Sequence, residues 1–220
     1  MTAARAGETG ASPGPGGDWL ARLRARGAVL DGHFRLTSGL HSPVYVQCAR
    51  LLQHPEDAGA AGAAIAERLG PLVGAPPDAV VSPAIGGIVL GHEVARAWGC
   101  RAIWAERDAG LSGAPLVFRR GFVIEPGERV VAVEDVVTTA GSLRELVELV
   151  ERVGGDTVGL AAIVDRRGAR AEPAEDGWAG RRPWATLAVV DAPRYEPEAC
   201  PQCAAGLGLV KPGSRPDPTA

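Results

Sequence analysis

Glu134 and Asp135 stand side by side between an apolar run, Val130 to Val133, and a loop of small residues, Thr138, Thr139, Ala140, Gly141 and Ser142. Two adjacent carboxylates can accept hydrogen bonds from the vicinal hydroxyls of a sugar. A loop without a bulky side chain lets backbone N–H groups approach an anion. A helix starting near Ser142 would aim its unpaired N–H groups and positive dipole end at the same point. Carboxylates for a ribose and amides for a phosphate predict a ribose 5-phosphate cradle. A generic strand, turn and helix would need neither the second acid nor a loop made wholly of small residues. A dinucleotide or methyl-donor fold would want G-x-G-x-x-G after a first strand, and the chain offers none there.

Such a cradle has to be positioned by a βα unit of a parallel sheet. Val130 to Val133 form a largely β-branched run suited to a buried parallel strand, and ligands of open α/β sheets gather at the carboxyl ends of the strands. The pattern predicts further strands at Ala79 to Ser82, Arg101 to Ala105, Thr157 to Val164 and Thr186 to Val190. Helices are predicted at Pro55 to Leu69, Gly87 to Trp98 and Ser142 to Val153. This alternation is the signature of a right-handed parallel sheet. A short amphipathic helix from Asp18 to Arg26, capped by Asp18 and stopped at Gly27, opens the ordered part. Two short strands, His33 to Thr37 and Val44 to Gln47, form a small β element outside the main sheet. Leu116 to Phe118 and Gly121 to Ile124, flanking Arg119 and Arg120, read as a hairpin or flap.

Three further passages carry chemistry. Ser82-Pro83-Ala84-Ile85-Gly86-Gly87 is a second strand-to-helix loop of mostly small residues, able to take the other anionic end of a phosphorylated sugar. In His33 to Tyr45 the Ser38-Gly39 turn can present backbone groups to a flat polar base, with Phe34 or Tyr45 limiting solvent; His41 reads as a surface or turn residue. Asp165-Arg166 closes a strand, and an arginine there can clamp a planar carboxylate with two parallel N–H bonds. Arg167 reads as its solvated neighbour.

The chain has 220 residues, 46% of them hydrophobic, and a formal net charge of −3. That suits one α/β domain, expected at 18–210, between disordered tails at 1–17 and 211–220. No Lys/Arg-rich run stands out and Lys211 is the single lysine, so nucleic acid is not an expected partner. No apolar stretch approaches the roughly 18 residues of a membrane span and no signal-peptide core opens the chain, so no membrane partner and a cytoplasmic location are expected. Of the four cysteines only Cys200 and Cys203 form a local pair. They offer half of a tetrahedral zinc set that a second copy could complete, although histidines at finger spacing are missing, and a redox pair is a further alternative. A structural turn with free thiols is the favoured reading.

The passage with four apolar residues, Glu134-Asp135, two apolar residues and a Thr/Gly/Ser-rich loop resembles the phosphoribosyl pyrophosphate (PRPP) motif of the type I phosphoribosyltransferases. His33 to Tyr45, with its aromatic, Leu, Ser-Gly and Ser-Pro order, resembles the N-terminal hood of the orotate phosphoribosyltransferases. The likeness runs from about Leu20 to Val190 and extends to the Glu198 to Cys203 tail found in one bacterial branch of that family. It implies an α/β, type I phosphoribosyltransferase fold: a parallel sheet flanked by helices, with a small hood from 30–50 and the C-terminal segment. It implies transfer of the 5-phosphoribosyl group of PRPP to orotate, giving orotidine 5′-monophosphate and pyrophosphate in pyrimidine synthesis. PRPP would be held by Glu134, Asp135, Val136, Val137, Thr138, Thr139, Ala140, Gly141 and Ser142, together with Ile85, Gly86 and Arg107. Orotate would be held by Ser38, Gly39, Thr138 and Arg166, and Arg107, Glu134 and Asp135 would act in catalysis. Mg2+ would bind mainly through PRPP's own oxygens, and Arg107 would reach across a homodimer interface. The sequence departs from the family where Glu106-Arg107-Asp108 opens a loop lacking lysine and histidine, and where Thr37 replaces the hood's usual lysine. Arg107, Arg119 and Arg120 remain as nearby cations, and arginine does not readily give up a proton. A phosphoribosyltransferase for another base and a PRPP-sensing regulator are the alternatives.

Overall fold

The computed structural model describes residues 17–36, 38–107, 113–167 and 182–212. Expectations that fall on 1–16, Thr37, Asp108 and the residues after it to 112, and 213–220 lie outside the described residues. Helix α1, Trp19–Ala25, is held at its start by Asp18, whose Oδ1 accepts from the Ala21 N–H at 2.9 Å. Strands β1, Val29–Arg35, and β2, His41–Val46, pair antiparallel as a separate two-stranded sheet, the hood. The one-turn helix α2, Ala49–Leu52, is too short to leave a periodic trace in the sequence.

Helix α3, Pro55–Val73, continues past the expected end at Leu69 and through Pro71. Proline this late in a helix removes only one hydrogen bond. The extra turn brings Leu69 and Val73 onto Gly159, where an added Cβ would approach within 2.9 Å of Val73.

The main sheet is built from β3 (Ala79–Pro83), α4 (Gly87–Trp98), β4 (Arg101–Glu106), β5 (Val117–Phe118), β6 (Arg129–Val137), α5 (Gly141–Arg152), β7 (Asp156–Asp165) and β8 (Trp184–Val189). Strand order is β5-β4-β3-β6-β7-β8, all parallel except β5. One face packs Leu23, Ile65, Leu69, Leu90 and Val94 over Val131, Val133 and Ile163. The other packs Leu143, Leu146 and Val150 over Val130, Ala132 and Leu160. Nearly every side chain of β6 before Glu134 is thus sealed, which fixes the level at which the acidic pair emerges.

The expected hairpin around Arg119 and Arg120 is not formed. Val117–Phe118 pairs with Ala105 and Glu106 at the sheet edge instead. Residues 121–124 have no strand, and Phe122 packs edge-on against Trp104 at 4.6 Å. The free edge of β4 outcompetes the local partner. A one-turn helix, α6, Pro201–Ala204, lies in the C-terminal segment.

Candidate active site

Strand order reverses between β3 and β6, so the loops leaving their carboxyl ends open onto one crevice, the topological switch point where α/β sheets bind ligands. Both small-residue loops lie there. A Cβ on Gly86 would stand 2.9 Å from Asp135 Oδ1, so the loop after β3 rests directly on the acid near the end of β6. The Ala84–Ile85 peptide is cis, and the Ile85 side chain is 84% exposed at the crevice mouth.

Glu134 and Asp135 are half-buried at the sheet end. Burial, with Asp135 alongside, pushes the Glu134 carboxyl up to about 8, against a hydrogen bond to Ser142 that favours its charge. Burial also raises Asp135, opposed by hydrogen bonds to the backbone at Asp135 and Val136. These carboxylates are held where charge is costly, so donors or a cation brought by a ligand would be strongly favoured. A hard divalent cation such as Mg2+, carried on phosphate oxygens, fits this oxygen donor set.

Thr138 and Thr139 are exposed, and Ala140, at φ 59, turns the chain into α5, with its carbonyl accepting the Arg144 N–H at 2.8 Å. The first N–H groups of α5 therefore face the crevice beside Glu134 and Asp135, the arrangement that binds a phosphate. Val137 is wholly buried in the core and its carbonyl accepts the Arg166 N–H at 2.8 Å, so its side chain packs inward at the start of the small-residue loop.

Beside Thr138 opens a cavity of about 380 Å³, whose lining includes Arg35, Ser38, Tyr45, Arg166 and Arg194. Ser38 and Gly39 sit on a tight turn in which the Gly39 N–H donates to the Leu36 carbonyl at 2.9 Å, with Gly39 at φ +89. Arg166, at the end of β7, donates from Nη2 to the Val44 carbonyl at 3.2 Å, while its Nε is buried without a partner. Burial and the neighbouring Arg194 both push the Arg166 pKa below its ordinary value. Among the described residues lining the cavity there are three arginines and no carboxylate, so the cavity suits a flat anion.

Arg35 and Arg194 were not singled out from sequence. Arg35 lies inside the hood passage as an ordinary strand residue, and Arg194 follows β8 in a stretch with no pattern. Two other expectations are corrected. Arg167 is not solvated: it pairs with Asp165 at 2.6 Å and lies over the Trp184 ring at 5.0 Å. His41 is 4% exposed and belongs to β2, because the chain turns inward after the Ser38-Gly39 turn. Of the expected loop cations, Arg107 binds its own chain, donating from Nη1 to Glu145 Oε1 at 3.0 Å and to the Ala114 carbonyl at 2.6 Å. Arg120 pairs with Glu106, and Arg119 is also engaged.

Residues 47–186 match the model of the phosphoribosyl transferase domain. An orotate phosphoribosyltransferase of Pelotomaculum thermopropionicum is 45% identical over 196 residues, 89% of this chain and 96% of the relative. One from Caldicellulosiruptor bescii is 41% identical over 197 residues, 90% of this chain and 96% of the relative. The crystal structure of orotate phosphoribosyltransferase from Aeropyrum pernix superposes with a TM-score of 0.62 at 28% identity, covering 76% of this chain and 91% of that one. Sheet order, crevice and sequence agree: the chain belongs to the phosphoribosyltransferase domain family, on its orotate phosphoribosyltransferase branch.

Proposed function

We infer that the chain is an orotate phosphoribosyltransferase: it transfers the 5-phosphoribosyl group of PRPP to orotate, releasing pyrophosphate. The observation that carries this reading is the junction at Thr138. On one side lie the acidic pair and the α5 N-terminus, suited to a phosphosugar; on the other lies the arginine-lined cavity with the unpartnered Arg166 Nε. A phosphorylated ribose and a carboxylated base bound in these halves would meet at the ribose C1.

In the reaction the bond from C1 to pyrophosphate oxygen breaks, the bond from C1 to orotate N1 forms, and the N1 proton leaves. The α5 N–H groups hold the 5-phosphate, and Glu134 and Asp135 hold the ribose hydroxyls, orienting C1. Two carboxylates beneath a ring that gains positive character also stabilise it electrostatically. Arg166 and the Ser38-Gly39 turn fix the base so that N1 points in line, with Arg35 and Arg194 adding positive potential for its carboxylate. The loop at Ile85 and Gly86 meets the leaving end of the substrate. Mg2+ would be held mainly by PRPP's own oxygens, with Glu134 and Asp135 available as protein oxygens, and would neutralise pyrophosphate charge.

Arg107 is assigned to the pyrophosphate, reached by exchanging its Glu145 partner for the leaving group, in a homodimer. Support for a second copy is the mostly apolar cleft of about 240 Å³ lined by Ile88, Val89, Ala102, Ile103 and Trp104, with Ser82 and His92. A cytoplasmic location is supported by four cysteines that form no disulfide. Among the described residues no helix is long and apolar enough to cross a membrane.

The test is loss of orotate absorbance when the purified chain meets orotate, Mg2+ and PRPP, with adenine, hypoxanthine and uracil run in parallel. Consumption of orotate alone, dependent on PRPP and Mg2+, is expected. Turnover of another base would reassign the substrate. Binding of PRPP without turnover of any base would make the chain a sensor.

A further inference from the structure

We propose that His33, His41, Cys200 and Cys203 form a zinc site that clamps the C-terminal segment beneath the hood. The histidines come from β1 and β2, and the cysteines flank the start of α6. His33 Nε2 lies 3.1 Å from His41 Nδ1, 3.4 Å from Cys200 Sγ and 3.5 Å from Cys203 Sγ. Cys203 Sγ lies 3.2 Å from His41 Nδ1, and the four atoms all fall within 4.8 Å of one another. Zinc bonds of about 2.0 Å to nitrogen and 2.3 Å to sulfur put tetrahedral ligands roughly 3.3 to 3.8 Å apart, close to the observed spacing.

His33 Nδ1 is 2.9 Å from the Leu207 carbonyl, which only accepts, so in the neutral ring Nδ1 carries the proton and Nε2 presents its lone pair. One lone pair faces three neighbours, whereas a central cation engages all of them. The Leu207 carbonyl then plays the orienting part that metal-bound histidines ordinarily require. Two thiolates and two neutral imidazoles would cancel the charge of Zn2+, which suits a site where His33, His41 and Cys200 are buried. Cys203 is exposed and gives the ion a way in. Both histidines belong to the same chain as the cysteines, so no second copy is needed to complete the set. With four protein ligands the site is closed and structural.

Its position gives it a task. The histidines bracket the passage that carries Arg35 and Ser38, and the cysteines follow Arg194, so one ion would tie together both sources of the cavity wall.

The test is metal analysis of the full chain purified without chelators, with X-ray absorption at the zinc edge. About one zinc per chain, with two sulfur and two nitrogen neighbours, is the expected result. Cobalt exchanged into the site should show tetrahedral d–d bands with thiolate charge transfer, both lost in the Cys200→Ser/Cys203→Ser variant. Absence of bound zinc, a shell of oxygens, or retention of stoichiometric zinc by the double variant would each overturn the proposal. Should that variant fail to fold, the absorption spectrum of the unaltered chain decides. None of these readouts depends on turnover, so they fail or succeed separately from the enzymatic reading.

Discussion

Gly86 and Asp135 meet across the gap between two loops: a Cβ at Gly86 would lie 2.9 Å from one carboxylate oxygen and 3.0 Å from the other. The absent side chain is what lets the loop after β3 and the acid near the end of β6 share one crevice. Gly86→Ala should therefore fold, because a carboxylate tip can move, yet lose at least about tenfold in kcat/KM for PRPP, or ~1.4 kcal/mol. Steady-state kinetics with orotate saturating would measure it. An unchanged kcat/KM would mean that the position of Asp135 is immaterial.

Arg166→Ala should remove about 2 to 5 kcal/mol of orotate affinity while leaving PRPP binding nearly intact. Arg166→Lys should recover only part of it, since an ammonium cannot make two parallel bonds to one carboxylate. Calorimetric titration of each ligand separates the effects, and equal losses for both ligands would remove Arg166 from base recognition.

The pH dependence follows from Glu134, whose carboxyl is raised from 4.5 to about 8 in the folded chain. Between those values the folded state keeps a proton that the unfolded state has released. Its contribution to stability is thus complete below about 4.5 and is lost as pH rises through about 8. Without ligands, the melting temperature of Glu134→Gln should fall less from about pH 5 to 8 than that of the unaltered chain. Identical slopes would show that Glu134 ionises without penalty.

Asp57 is 2% exposed and receives Arg22 Nε at 2.6 Å and Arg26 Nε at 2.5 Å, joining α1 to α3. Burial opposes its charge, but the two guanidiniums outweigh burial and hold the carboxyl below its ordinary value. Asp57→Ala should cost about 3 kcal/mol in urea unfolding, mostly by stranding Arg22. A loss below about 1 kcal/mol would mean that water reaches the arginines. The pair's contribution is present above the ordinary 3.8 and lost as the pH falls below it.

Arg107→Ala should lower kcat about 100-fold through lost charge on the departing pyrophosphate. Its half-exposed pair with Glu145 adds little, so stability should change by less than about 1 kcal/mol. A normal kcat would leave the pyrophosphate to the other arginines.

The phosphosugar half was legible in the sequence because one βα unit contains it. Val130 to Ser142 carry strand, acids, loop and helix start within a single local pattern, and local patterns survive translation into structure. Arg166 was legible for the same reason, as the residue just after a recognisable strand. Arg194 and the His33–Cys200 proximity were not, because each depends on where a patternless segment lands after crossing the molecule. The misread hairpin at Arg119 shows the opposite failure: two apolar triplets matched a local template, but the edge of β4 was the better partner.

The hood's first strand closes on the far end of the chain. The Arg35 N–H donates to the Val210 carbonyl at 2.9 Å, and the Val210 N–H donates to the His33 carbonyl at 2.9 Å. A ribosome therefore delivers β1 long before its neighbour at Val210. A nascent chain released through β8 already holds both phosphate loops, whereas the wall containing Arg194 is still missing. A truncation just after Val190 would keep both phosphate loops and Arg166 but remove Arg194, Ala192 and Pro212 from the cavity wall and the Val210 partner from β1.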